Sequence, residues 1–104
     1  MSESDIQKSI IEYLRRQYPD ALVLRMPVAG VMRGGMGHRG VAKSPLTGCP
    51  DILFYLNGDL IGFEIKTKSG KVSPEQFRFH ARIEKAGGRV FVVRAIEDVV
   101  TVMA

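Results

Sequence analysis

The dipeptide Asn57-Gly58 constrains the fold of this chain more than any other part of its sequence. It separates two apolar runs, residues 52–56 and 60–63. Both turn residues tolerate the positive φ angles of a type I′ turn, a common connection between antiparallel strands. The sequence therefore predicts a β-hairpin with a two-residue turn, and a turn of fixed length also sets the strand register.

The predicted register brings two acidic residues together. The facing pairs are Leu56 with Asp59, Phe54 with Ile61, Ile52 with Phe63, and Asp51 with Glu64. Directly opposed residues have Cβ atoms about 5 Å apart, so the carboxylates of Asp51 and Glu64 project side by side. Because like charges repel, a divalent cation that prefers oxygen ligands would stabilise this pair.

Strand alternation assigns the hairpin residues to two faces. The apolar face, expected to pack against a helix, carries Ile52, Phe54, Leu56, Ile61, Phe63 and Ile65; the other carries Asp51, Leu53, Tyr55, Leu60, Gly62, Glu64 and Lys66. Lys66 then lies beside Glu64, where its ammonium could hold a water molecule or stabilise developing charge. In an alternative interpretation, Glu64 and Lys66 form an exposed ion pair on an edge strand, worth at most about 1 kcal/mol, and Asp51 is a turn residue.

The first segment predicts a helix from about residue 3 to residue 17, capped by Ser2 or Ser4. Its inward stripe is expected to contain Ile6, Ile10, Tyr13, Leu14 and Gln17. On the helical wheel Glu3 falls within about 20° of Ile10, whereas Glu12 faces solvent. Glu3 is therefore a candidate third acid of the site, although an interaction with the helix dipole would also explain it.

A glycine-rich, basic segment follows a predicted strand at residues 21–26. It runs from Gly30 to Gly48 and carries the candidate DNA-binding residues Arg33, His38, Arg39 and Lys43, to which Lys68 and Lys71 add two cations after the hairpin. A long loop in a small domain is usually functional or disordered. Its composition suits phosphate contacts, but a mobile surface loop with solvated charges is the alternative.

Ser73-Pro74-Glu75-Gln76 predicts the start of a second helix, with a capping box formed by Ser73 and Gln76. The helix is expected to run to about Ala86 and to stop at Gly87-Gly88. Gln76, Phe79, His80 and Ile83 share one stripe, so Gln76 could point toward the hairpin as well as cap the helix. His80 has no partner at metal-ligand spacing, and the sequence gives little support for a histidine-based site.

The rest of the chain predicts a buried strand at residues 90–93 and a short helix at 95–103, with Ile96, Val99, Val100 and Met103 inward. The order of elements predicts an α/β fold, one mixed sheet flanked by helices, as a single domain over residues 1–104. The net charge of +4 favours a nucleic-acid partner. The small size favours a homodimer, and the single Cys49 suggests a reducing compartment. With no membrane span or signal-peptide pattern, the chain is expected in the cytoplasm.

These motifs, in this order, resemble the PD-(D/E)xK nuclease superfamily. The residues that carry the resemblance are Pro50-Asp51, Glu64-Ile65-Lys66, Ser73-Pro74-Glu75-Gln76 and Gly87-Gly88. Within the superfamily the chain is most similar to stand-alone VRR-NUC domains of phages and bacteria, over nearly its whole length. The resemblance implies a restriction-endonuclease-like αβββαβ(α) fold. The last strand departs from the family's Val-Arg-Arg signature, since it reads Val93-Arg94-Ala95.

The resemblance also implies roles for individual residues. Asp51, Glu64 and the carbonyl group of Ile65 would bind Mg²⁺ or Mn²⁺, Lys66 would position or activate the attacking water, and Gln76 would support the site. An acidic residue on the first helix, here Glu3, would complete it.

The function predicted from these roles is metal-dependent cleavage of duplex or branched DNA by a homodimer in the cytoplasm of a phage-infected or bacterial cell. Resolution of four-way (Holliday) junctions is one form that this activity could take. A DNA-binding or assembly module that keeps the fold without catalysis is the alternative from another class. RNA cleavage is the alternative enzymatic activity.

Overall fold

The computed structural model describes residues 2–26 and 45–104, and the predicted α/β class is confirmed. The described elements are α1 (Glu3–Gln17), β1 (Leu22–Arg25), β2 (Ile52–Leu56), β3 (Asp59–Ile65), α2 (Pro74–Lys85), β4 (Arg89–Val93) and α3 (Ile96–Met103). The strands form one mixed sheet in the order β1-β2-β3-β4, in which only β3 and β4 run parallel. Within the described ranges, every helix is too short or too polar to cross a bilayer.

The hairpin has the register that the turn predicts. Asn57 and Gly58 have φ angles of 51° and 86°, as a type I′ turn requires. Phe54 pairs with Ile61, and Ile52 with Phe63. Asp51 and Glu64 are the next residues along the two strands after the pair Ile52 and Phe63, so this register directs them toward each other.

The hydrophobic core lies between one face of the sheet and helices α1 and α3. Its buried members are Ile6, Ile10, Ile11, Leu14, Val23, Ile52, Phe54, Ile61, Phe63, Ile65, Val93 and Val99. Helix α1 starts with a capping box in which Ser2 and Asp5 satisfy each other's backbone N–H groups. The predicted apolar face of the hairpin is thus the face that forms the core.

Two predicted inward residues are exposed instead. Gln17 is the last residue of α1, beyond the part of the helix that covers the sheet, and Ile11 is buried in its place. On α3 the side chains that pack on the core are Ile96, Val99, Val102 and Met103, so Val100 lies on the outer flank and is 42% exposed. In both helices, the face that packs on the core is therefore rotated slightly from the face predicted from the sequence.

Strand β4 is also less buried than its apolar sequence predicts. It pairs with β3 on one side, and no described strand lies on its other side. Val93 is buried, whereas Val92 is 39% exposed. An edge position explains the difference, because an edge strand has one neighbour to cover its side chains.

Two glycines with positive φ angles provide a matched test of backbone packing. Gly48 (φ 89°) lies against the start of α2, where an added Cβ atom would collide with the carbonyl oxygen of Glu75, whereas Gly58 (φ 86°) faces open space. We expect Gly58→Ala to cost about 1 kcal/mol of unfolding free energy through its φ angle alone. Gly48→Ala should cost about 1–3 kcal/mol more because the backbone must also move. Urea denaturation of both variants measures the difference, and equal losses would contradict the described packing.

Candidate active site

Asp51 and Glu64 lie together at the open end of the hairpin. The Asp51 Oδ2 atom accepts a hydrogen bond of 2.8 Å from the backbone N–H of Ile65, next to Glu64. Glu64 is 1% exposed, and its strand β3 is central, with β2 on one side and β4 on the other. The alternative interpretation of an exposed ion pair on an edge strand is therefore wrong.

Helix α2 holds both carboxylate oxygens of Glu64. The Nε2 amide of Gln76 donates to Oε2 over 3.2 Å, and His80 Nε2 lies 3.0 Å from Oε1. Residues four apart on a helix share a face, so one face of α2 supplies both partners. Alternation along β3 puts Glu64 opposite Phe63 and Ile65, which places α2 on the side of the sheet away from the core.

Gln76 has two functions at once. Its Oε1 atom accepts a hydrogen bond of 2.9 Å from the backbone N–H of Ser73. The backbone N–H of Gln76 donates to Ser73 Oγ, which completes the capping box. Its amide nitrogen is then left to bond to Glu64. Gln76 therefore caps the helix and also contacts the hairpin, the combination that its place on the helical stripe suggests.

The contact of His80 with Glu64 was missed by reasoning from the sequence. A metal-ligand pattern would require a second histidine or cysteine at a suitable spacing from His80. The partner of His80 is instead a carboxyl group on a strand. A usable signal was present, because His80 lies one helical turn after Gln76 on the same stripe. Because residues four apart lie on the same helix face, an orientation of Gln76 toward the hairpin also predicts that His80 faces the hairpin.

The electrostatics of the site reflect two acids in a confined space. Burial, together with the hydrogen bond and negative charge of Asp51, raises the pKa of Glu64 to about 8, while the positive charge of Lys66 opposes the shift. Burial also lowers the pKa of His80, which favours a neutral imidazole. The pKa of Cys49 is raised to about 11 by burial and by the charges of Glu64 and Asp51, so its thiol is protonated near neutral pH.

The carboxyl pair fits a hard divalent cation. Ionisation of Glu64 beside Asp51 is unfavourable in the protein alone, and a cation with oxygen ligands would remove that cost. A carboxylate has about four lone-pair sites, so the bonds from Gln76 and His80 leave Glu64 able to bind a metal. Among residues 2–26 and 45–104, no group of three or more acidic, histidine or cysteine side chains has metal-holding geometry. Asp51 and Glu64 remain the predicted residues that would hold such an ion.

Glu3 lies close enough to this pair for its charge to act on Glu64. Its negative charge contributes to the raised pKa of Glu64. Its Oε2 atom accepts a hydrogen bond of 3.2 Å from the backbone N–H of Thr67, just after Lys66. The structure thus gives Glu3 a contact with the segment after β3, while metal ligation by Glu3 and by the Ile65 carbonyl stays a prediction.

Arg94 fixes the segment that follows Lys66. Its guanidinium donates to the backbone carbonyl groups of Thr67, Lys68 and Gly70. The backbone N–H of Lys66 in turn donates to the carbonyl group of Val93 over 3.0 Å. Because β3 and β4 are parallel, their carboxyl ends meet, and Arg94 stands beside the segment that leaves β3.

The predicted DNA-contacting residues divide into two groups. Lys68 and Lys71 are exposed on the segment between β3 and α2. Arg33, His38, Arg39 and Lys43 lie outside the described residues. The described part of the predicted DNA-binding surface is therefore the segment next to Lys66.

The mixed sheet thus brings Asp51, which directly precedes β2, beside Glu64 on β3, and Lys66 directly follows β3. One similar solved structure, described as a VRR_NUC domain, is 27% identical with a TM-score of 0.68, and the match covers 97% of this chain and 92% of that one. A second, a VRR_NUC domain protein, is 20% identical with a TM-score of 0.69, covering 99% and 85%. No family model and no curated protein matches the sequence. The resemblance is confirmed as a structural match, and the chain has the nuclease-family fold of VRR_NUC domains.

The raised pKa of Glu64 predicts how stability depends on pH without metal. Between the ordinary value of 4.5 and about 8, the folded protein keeps a proton that the unfolded chain has lost, so stability falls as pH rises. Glu64→Gln removes this titration. In buffer that contains a metal chelator, we expect the melting temperature of the wild type to fall relative to that of Glu64→Gln as the pH rises from about 5 to about 8, the window between the two pKa values. A difference that stays constant over this range would contradict the shift.

The carbonyl contacts of Arg94 predict a local change in backbone protection. Arg94→Ala removes the donors, and Arg94→Lys keeps the charge but loses the planar fork. Loss of a net bond energy of about 1 kcal/mol should speed amide hydrogen exchange at residues 67–70 by about 5- to 10-fold in both variants. Arg89→Ala, at the other end of β4, serves as the control. Full protection in Arg94→Lys would show that charge alone holds the segment.

Proposed function

We propose that this chain is a divalent-metal-dependent DNA endonuclease. The observation that carries the proposal is the buried Glu64 carboxyl group beside Asp51, with Lys66 directly after the end of the same strand. Two adjacent acids in a nuclease-family fold suit Mg²⁺ or Mn²⁺, the ions that assist phosphodiester hydrolysis. The proposal treats residues 1–104 as one nuclease domain.

The chemistry assigns a separate task to each residue. A divalent ion held by Asp51 and Glu64 would supply Lewis acidity and a more acidic water molecule. Lys66, whose charge already acts on Glu64, would stabilise negative charge that grows on the phosphate in the transition state. Gln76 would keep the Glu64 carboxylate oriented through its amide.

The substrate class follows from charge. The net charge of +4 and the exposed Lys68 and Lys71 suit contact with a polyanionic backbone, which supplies affinity without reading sequence. The aromatic residues fall mostly on core positions, which disfavours single-strand binding by base stacking. We infer duplex or branched DNA as the substrate. A homodimer would place two sites about a two-fold axis, as paired cuts in a four-way junction require.

A non-catalytic DNA-binding module is supported less well by the same site. Such a module would gain nothing from two adjacent acids facing a polyanion. Burial, and then the neighbouring Asp51, raise the pKa of Glu64, so keeping both acids ionised is unfavourable. Shifted titrations of this kind cluster at functional sites. Catalysis explains why the arrangement is retained, whereas binding alone does not.

The test incubates supercoiled, linear and four-way-junction DNA with the protein and Mg²⁺ or Mn²⁺. We expect metal-dependent cleavage that Asp51→Asn, Glu64→Gln and Lys66→Ala each reduce about 100-fold or more, since each removes transition-state stabilisation. Lys85→Ala, at the far end of α2, is the control and should cleave like the wild type. Cleavage that survives in Glu64→Gln, or no cleavage of any DNA, would overturn the proposal. Turnover of RNA but not DNA would assign the activity to RNA.

A further inference from the structure

We propose that His80 is a positioning residue for the metal site, acting by holding the Glu64 carboxylate through a buried hydrogen bond. This inference rests on the proposed function and deepens it. His80 Nε2 lies 3.0 Å from Glu64 Oε1. The two residues are 8% and 1% exposed, so water competes little for this contact.

The geometry of α2 explains why a second donor is needed. Gln76 lies in the first turn of the helix and is shared with the capping box through its Oε1 atom. Gln76 bonds to one carboxylate oxygen of Glu64, so the first turn of the helix leaves the other oxygen for a residue further along α2. His80, one turn further along, bonds to the other oxygen. Two hydrogen-bonding side chains on one rigid helix face thus hold both the position and the plane of the carboxyl group.

An imidazole suits this task in a buried place. Its ring has two side-chain torsion angles, so little conformational entropy is lost when it is held. A neutral ring donates from Nε2 to an ionised Glu64 without cancelling the negative charge that a cation needs. Partners of this kind orient ligating side chains, and their removal typically costs 10- to 100-fold in metal affinity or activity.

The first measurement is Mn²⁺ binding by calorimetry, with no DNA present. His80→Leu removes the donor and keeps a buried apolar side chain, whereas His80→Gln places an amide donor near the position of Nε2. We expect His80→Leu to bind Mn²⁺ about 10-fold or more weakly and His80→Gln to recover much of the loss. Ile83→Val, a change at a buried position of the same helix that removes no hydrogen bond to Glu64, controls for lost packing and should bind like the wild type.

Three outcomes separate the possibilities. If His80→Leu binds Mn²⁺ as tightly as the wild type, the positioning role is wrong and the proposed nuclease function still stands. If Ile83→Val and His80→Gln lose as much affinity as His80→Leu, His80 acts only through packing, and the inference is overturned. If the wild type shows no Asp51-dependent Mn²⁺ binding, both the inference and the metal dependence of the proposed function fail.

A spectroscopic measurement on the wild type keeps the inference testable even if His80→Leu does not fold. The chain has two histidines, so ¹⁵N-imidazole spectra contain two ring systems, and a His38→Ala variant assigns them. We expect the Nε2 resonance of His80 to shift when Mg²⁺ binds, because the charge on its hydrogen-bond partner changes. A His80 resonance that does not move at saturating Mg²⁺ would overturn the inference.

Discussion

The enclosure of Glu64 between the sheet and α2, with Asp51 alongside, is the interaction on which the rest of the site depends. A carboxyl group that is 1% exposed needs partners for its oxygens, and α2 supplies one for each. The same enclosure makes ionisation unfavourable and so produces an affinity for positive charge. The feature that would favour metal binding therefore lowers the stability of the metal-free protein, as is common where a fold carries a functional site.

Much of the fold follows from local signals in the sequence. Asn57-Gly58 sets the hairpin register, and the capping boxes at Ser2 and Ser73 mark where α1 and α2 begin. These signals are strong because each depends on a few neighbouring residues and on backbone geometry. Burial at the edges was predicted less well. The exposure of Val100 and Val92 depends on which neighbours cover them, and a hydrophobic pattern does not contain that information.

The site shows the same division. Asp51 and Glu64 were predicted as a pair because one turn connects their strands, and Gln76 because of its helical stripe. The contacts of His80 and Arg94 join segments that are 16 and 24–27 residues apart. They arise from the docking of α2 on the sheet and from the parallel pairing of β3 with β4. Tertiary contacts of that kind have no local signature, although the shared stripe with Gln76 pointed to His80.

The position of α2 also bears on the order in which the domain can assemble. The hairpin joins residues that are close in the chain, so it can form while both acids are still hydrated and repel each other weakly. Glu64 loses its water when α2 covers it, and the electrostatic cost therefore falls on that docking step. The closing of the helix over the sheet and the capture of a cation then become thermodynamically linked. An ion bound to the two acids would offset this electrostatic cost and so stabilise the docked position of α2.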